Sequence, residues 1–128
     1  MFAVTSIYAG LLALFFVGLS YAVTVRRRSK RISLGDGDDK RMRALTRAQG
    51  NCAEYAPMGI LLLALSEGQG APALALHLLG IALVAGRLLH ARALLGPRMS
   101  VPLRVSGMVL TFSALLLMGL GLLFHALF

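Results

Sequence analysis

Long apolar stretches alternate with short polar breaks along this chain. Phe2 to Val25 carries no charge across 24 residues, and Ala44 to Ser66 carries only Arg47 and Glu54. Gly68 to Gly86 and Val105 to Phe128 are uncharged for 19 and 24 residues, with His77 and His125 taken as neutral. A helix crosses the hydrocarbon of a bilayer with ~20 mostly apolar residues. The pattern therefore predicts four spans, at about 2–25, 40–66, 72–95 and 102–127. The breaks between them have turn chemistry. "RRRSKR" closes the first span, and "ISLGDGDDK" follows with Gly35 and Gly37 beside three Asp. Pro57 removes one backbone donor from the second helix and is a candidate kink. Pro72 and Pro102 suit the first turns of the third and fourth. The expected fold is all-α: one domain over residues 1–128, an integral membrane four-helix bundle.

Composition agrees with a membrane protein. Of 128 residues, 58% are hydrophobic and 14% charged, with mean hydropathy +0.79, far from a soluble average. The net charge of +8 would suit nucleic acid, but the positions of the charges do not. Nine of the 13 basic residues fall between Arg26 and Arg47, and the others are Arg87, Arg92, Arg98 and Arg104. With four spans, both groups lie on one side, which the positive-inside tendency assigns to the cytoplasm. Both termini and the "SEGQGAP" turn are then expected outside, and most of the cations form a collar facing lipid headgroups. The first apolar stretch is too long for a cleavable leader and has its basic cluster after it, so it reads as a retained helix. Cys52 is the single cysteine. It gives no disulfide and no metal-ligand spacing, and "DGDD" lacks the ligand alternation of a calcium loop. No metal site is expected.

The second span breaks the apolar rule in an ordered way. At 100° per residue with Arg43 as zero, Arg47, Asn51 and Glu54 fall at roughly 40°, 80° and 20°. One helix face carries them all, whereas Gln49 and Cys52 point elsewhere. Arg47 and Glu54 lie about 10 Å apart along the axis, too far to pair unless both stretch. A carboxylate at membrane depth costs ~2.5–3.5 kcal/mol by insertion scales, so Glu54 needs a partner or a wet cavity. The plain alternative is an ion pair with Arg43, Arg47 or Arg87. Arg87 and His90 share a face near the end of the third span, with Arg92 turned away, and Arg104 opens the fourth. His77 and His125 read as interfacial residues without a role. A polar chamber lined by spans two, three and four is implied near the basic end. Its arginines favour carboxylates, and its one carboxylate favours a ligand that also carries an ammonium.

"RAQGNCAEYAP", residues 47–57, resembles the signature of the MAPEG family, the membrane-associated proteins in eicosanoid and glutathione metabolism, in the form found in its leukotriene-synthesising members. "GDGDD", "GIALVAGRLLH" and "LRVSGM" are similar to segments of its small bacterial members. The resemblance covers essentially the whole chain. It implies a homotrimer of four-helix bundles that binds glutathione between protomers near the cytoplasmic side. By matching position it implies that Arg47, Asn51, Glu54 and Tyr55 contact glutathione, with Gln49 in the same motif. Arg87 aligns with an arginine of the third span, and Arg26 or Arg27 with an arginine pair ending the first; Arg26 and Arg87 are counted with the glutathione-binding residues. Arg104 aligns with an arginine near the glutathione thiol. His90 is counted with the binding residues, although the eicosanoid enzymes have tyrosine there. Their next tyrosine is Leu94 here, so no eicosanoid substrate is implied.

The implied activity is that of a glutathione transferase or peroxidase acting on lipophilic electrophiles in a bacterial inner membrane. The thiolate is the nucleophile, and nearby cations favour it; Arg104 or Arg27 is the catalytic candidate. The substrate would arrive through lipid, along spans one and four. The expected partners are a second and third copy of the chain, lipids, glutathione and a lipophilic small molecule, without nucleic acid. Two other classes fit the same chain. A four-span proton-coupled multidrug transporter would use Glu54 as its proton site, a role the neighbouring arginines oppose. A binding protein could hold glutathione without catalysis.

Overall fold

The computed structural model describes all 128 residues and contains four helices. They are α1 (Ala3–Lys30), α2 (Lys40–Gly68), α3 (Ala73–Leu95) and α4 (Val101–Leu127). The all-helical expectation holds. α1 outruns its apolar segment by a full turn, through Arg26, Arg27, Arg28 and Lys30. Arginine and lysine are good helix formers, and cations in a last turn sit well with the helix dipole. The end of the greasy run is therefore not the end of the helix, which stops at Arg31 in left-handed conformation. Pro57 lies inside α2 without interrupting it. Pro72 and Ser100 stand at the N-caps of α3 and α4, and Pro102 lies in the first turn of α4.

Successive helices run antiparallel. α2 touches all three others, α3 and α4 pack most extensively, and α1 does not touch α4. α1, α3 and α4 are long and apolar enough to cross a membrane. α2 has the length but carries Arg41, Arg43, Arg47 and Glu54 in its first half. It nonetheless runs the full height of α1, because the two are tied at both ends. At the basic end, the Asp39 carboxylate accepts from Arg26 Nε and Nη2 at 3.0 and 2.7 Å. At the opposite, terminal end, the Glu67 carboxylate accepts from the backbone N–H of Val4 and Thr5 at 3.0 and 2.7 Å. Those N–H groups have no partner inside their own helix. Beside them the Tyr8 hydroxyl meets His77 Nδ1 at 2.8 Å. His77 thus joins α1 to α3 and is not the idle interfacial residue expected from sequence.

Only 26 of 128 residues are buried, so many large apolar side chains face outward. The tightest seam is that of α3 with α4. Gly86 and Gly107 face each other there, and a Cβ on Gly107 would lie 2.7 Å from the Gly86 carbonyl and 2.7 Å from the His90 amide nitrogen. Small residues allow such close approach between membrane helices.

The "GDGDD" loop works as a clasp. Asp39 caps α2 by accepting from Met42 N–H at 2.7 Å, and Asp36 accepts from Arg43 Nε at 2.6 Å. The Asp39 carboxyl is held below its ordinary range, chiefly by the hydrogen bond from Arg26 and then by the Met42 amide. A depressed carboxyl stabilises the fold above its unfolded pKa, about 3.9, and that contribution is lost as pH falls through the lower folded value. Asp39→Ser should keep the cap and lose the ion pair, and Asp39→Ala should lose both. Thermal unfolding in detergent at neutral pH should rank wild type above Ser above Ala. The gap between wild type and Ala should close in acid. Equal midpoints for Ser and Ala would show that the cap contributes nothing.

Candidate functional site

One cavity near the basic end gathers six polar side chains from three helices. Its volume is about 310 Å³. α2 contributes Arg47, Asn51, Glu54 and Tyr55, α3 contributes His90 and Leu94, and α4 contributes Arg104 and Met108. The chamber expected between spans two, three and four is present, with the α2 stripe along one wall. The spacing of the stripe explains this: residues three and four apart stack on one helix face, and that face turns toward the α3–α4 seam.

The electrostatics of the cavity are uneven. The chain's five acidic residues are Asp36, Asp38, Asp39, Glu54 and Glu67. The three Asp residues pair with Arg26 and Arg43, and Glu67 closes the α1 N-terminus. Glu54 has no ion-pair partner. The structural pair with Arg43, Arg47 or Arg87 weighed from sequence is not formed, and Arg43 is spent on the loop instead. Arg47 and Arg104 enter the cavity equally free of carboxylates. A site with two cations and one anion, none neutralised internally, suits a ligand bearing the complementary set.

Arg104 also belongs to a second hollow. Val101, Val105, Val109 and Phe112 line a groove of about 400 Å³ on α4, with Arg104 and Met108 at its edge. Arg104 and Met108 line both spaces. The boundary between a polar cavity and an apolar groove therefore carries a guanidinium. The Phe112 ring in turn leans on Tyr55, with centroids 5.6 Å apart.

Four residues expected at the site lie outside this cavity in the single chain. Arg26 is bound to Asp39. Arg27 donates to the Gly35 carbonyl at 2.9 Å and lines a separate basic hollow with Arg28 and Arg31. Gln49 donates to Ser20 Oγ at 3.0 Å across the α1–α2 interface, as its helix angle predicts. Arg87 is 2% exposed and lies behind the cavity wall. It donates to Thr111 Oγ1 through Nη2 at 2.7 Å and Nε at 3.1 Å, and through Nη1 to the Asn51 side-chain oxygen. Thr111 and Met108 were not singled out from the sequence. One hydroxyl or thioether in an uncharged run carries no signal until a buried cation is seen to need it.

Comparison with known proteins follows the same lines. A family model described as "MAPEG family" matches residues 5–124. Proteins called "Inner membrane protein YecN", from two strains of Escherichia coli, are each 37% identical over 122 residues, covering 95% of this chain and 92% of the relative. No solved structure matches this chain.

Proposed function

This chain belongs to the MAPEG family of membrane-associated proteins in eicosanoid and glutathione metabolism, and from that premise we propose that its polar cavity binds glutathione and presents the thiolate to lipophilic electrophiles. The reaction is that of a glutathione transferase or peroxidase, carried out at the bilayer. The observation that carries this reading is the uncompensated charge set of the cavity: Arg47 and Arg104 with an unpaired Glu54, and Asn51 between them. Glutathione brings two carboxylates and one ammonium. The guanidiniums take carboxylates, and Glu54 takes the ammonium. The thiol then lies toward Arg104, where a cation favours the thiolate, and the groove on α4 brings the electrophile to the same residue from lipid.

Homotrimer formation belongs to the same proposal. Arg47 and Glu54 are exposed in the single chain although α2 lies among membrane helices. Two exposed, unpaired charges at that depth are costly, and a neighbouring protomer would cover them. The Arg26–Arg27 pair of a neighbour is the matching candidate to complete the site. The membrane would be the bacterial inner membrane, as named for the Escherichia coli relatives, with both termini outside the cytoplasm. The two arginines of the cavity oppose cation transport through Glu54, so the transporter reading is not favoured.

Glu54→Gln keeps the shape and removes the charge. It should weaken glutathione binding by roughly ten- to a hundredfold, the effect of losing a charge-assisted hydrogen bond of ~1.5–3 kcal/mol, while the oligomer in detergent stays intact. Calorimetric titration of the purified protein measures this directly. Unchanged affinity would remove Glu54 from the site. Consumption of glutathione on adding an electrophile then separates an enzyme from a passive binder.

A further inference from the structure

Arg87 is a buried cation without a buried anion. No carboxylate lies within ion-pair distance, and its neighbours are neutral: Thr111, Asn51, Met108 Sδ at 3.3 Å and the Tyr55 ring at 5.1 Å. Three of these four, Asn51, Met108 and Tyr55, are also walls of the cavity. Arg87 touches each from behind and does not itself line the space.

The contact with Asn51 has a directional consequence. A guanidinium has donors and no acceptor. The Asn51 amide must therefore turn its oxygen toward Arg87, and the backbone oxygen of Asn51, 3.3 Å from Nη1, holds the same orientation. Its NH₂ group is then committed to the other side. There it meets only Met108 Sδ at 3.9 Å, and a thioether is a weak acceptor. A free amide would be able to offer either end to a ligand. This one can offer only donors.

We propose that Arg87 is a positioning residue which fixes Asn51 so that the cavity presents an N–H donor at that point. The site thereby selects a ligand with an oxygen acceptor there, a carboxylate or a peptide carbonyl, and rejects one that offers a donor. The proposal rests on the reading of the cavity as a glutathione site and corrects one part of the resemblance: Arg87 acts through Asn51 and does not contact the ligand.

Asn51→Asp is the discriminating variant. It has nearly the same shape, gives Arg87 the anion it lacks, and deletes the donor. Glutathione affinity should fall about ten- to a hundredfold, while the thermal midpoint of the ligand-free protein in detergent stays at or above that of wild type. Binding and stability would move apart. Arg87→Met should likewise lower affinity by about tenfold or more although Arg87 touches no ligand, and Arg87→Lys, which keeps a donor for the Asn51 oxygen, should recover part of the loss. If Arg87→Met does not assemble, the Asp and Lys variants decide alone. Wild-type affinity in Asn51→Asp, or in the folded fraction of both Arg87 variants, would overturn the proposal and leave Arg87 a packing residue. Wild-type protein that takes up no glutathione would sink the functional reading. The ligand-free midpoints would then decide: Asn51→Asp melting below wild type would overturn the coupling to Arg87 as well.

Discussion

Arg104→Leu is expected to abolish the ultraviolet thiolate band of bound glutathione and to cut turnover by on the order of a hundredfold or more, the usual effect of removing one preorganised group that stabilises developing charge. Affinity should fall less, because Arg47, Asn51 and Glu54 hold the rest of the ligand. The expectation comes from position. Arg104 lies in the first turn of α4, where the helix end adds a positive field, and it is the charged group common to the polar cavity and the apolar groove. On the proposed reading, a thiolate formed there would already face the groove from which a lipophilic substrate would arrive. Arg27→Leu is the control. Arg27 is turned away from the cavity, toward the Gly35 carbonyl, so only in the proposed oligomer would it reach a thiol, in a neighbour's site. If the Arg27 variant loses thiolate and turnover while the Arg104 variant keeps both, the catalytic cation is on α1. If wild-type protein binds glutathione but shows neither thiolate nor turnover with a panel of electrophiles, the chain is a binder.

The second large effect is expected at the α3–α4 seam. Gly107→Val should prevent assembly of the bundle, and Gly107→Ala should destabilise it by about 1–3 kcal/mol, as over-packing of a tight contact does. The added Cβ meets backbone atoms of Gly86 and His90. Backbone cannot rotate away as a flexible side chain would, so the two helices must separate. His90 belongs to both the seam and the cavity wall, and separation would also open the site. Gly119→Ala provides the comparison, since nothing lies within 4 Å of a Cβ there, and its stability should equal or exceed that of wild type. Size-exclusion profiles and melting curves in one detergent distinguish the two positions. A well-assembled Gly107→Val protein would show that the seam has slack.

Periodicity made much of this legible, and its failures have physical reasons. The four helices, the polar face of α2 and the chamber it forms with His90 and Arg104 follow from apolar run length and 100° spacing. Glu54 was readable as unusual because a carboxylate at membrane depth demands an explanation. Arg87 was legible as a polar residue in the right place and illegible in its role. Helix angle puts it on the face of His90, but whether a guanidinium reaches into a cavity or lies behind its wall depends on a hydroxyl in α4, a full helix away in sequence. Arg26, Arg27 and Gln49 show a different limit. Their internal partners are Asp39, the Gly35 carbonyl and Ser20, and a single chain gives them no route to the cavity. The extension of α1 through its arginines was missed because hydropathy marks the edge of lipid and not the end of a helix.

Glu67 bears on the order in which this chain is made. The ribosome delivers α1 first, yet the acceptor for its opening N–H groups at Val4 and Thr5 lies 63 and 62 residues further along. Until then water must serve those donors, since hydrocarbon cannot. When α2 has threaded back, the carboxylate replaces the water, and Asp39 ties the other end to Arg26. The α1–α2 hairpin is then tied at both ends by contacts made within the first 67 residues, so the direction of α2 against α1 needs nothing from α3 or α4.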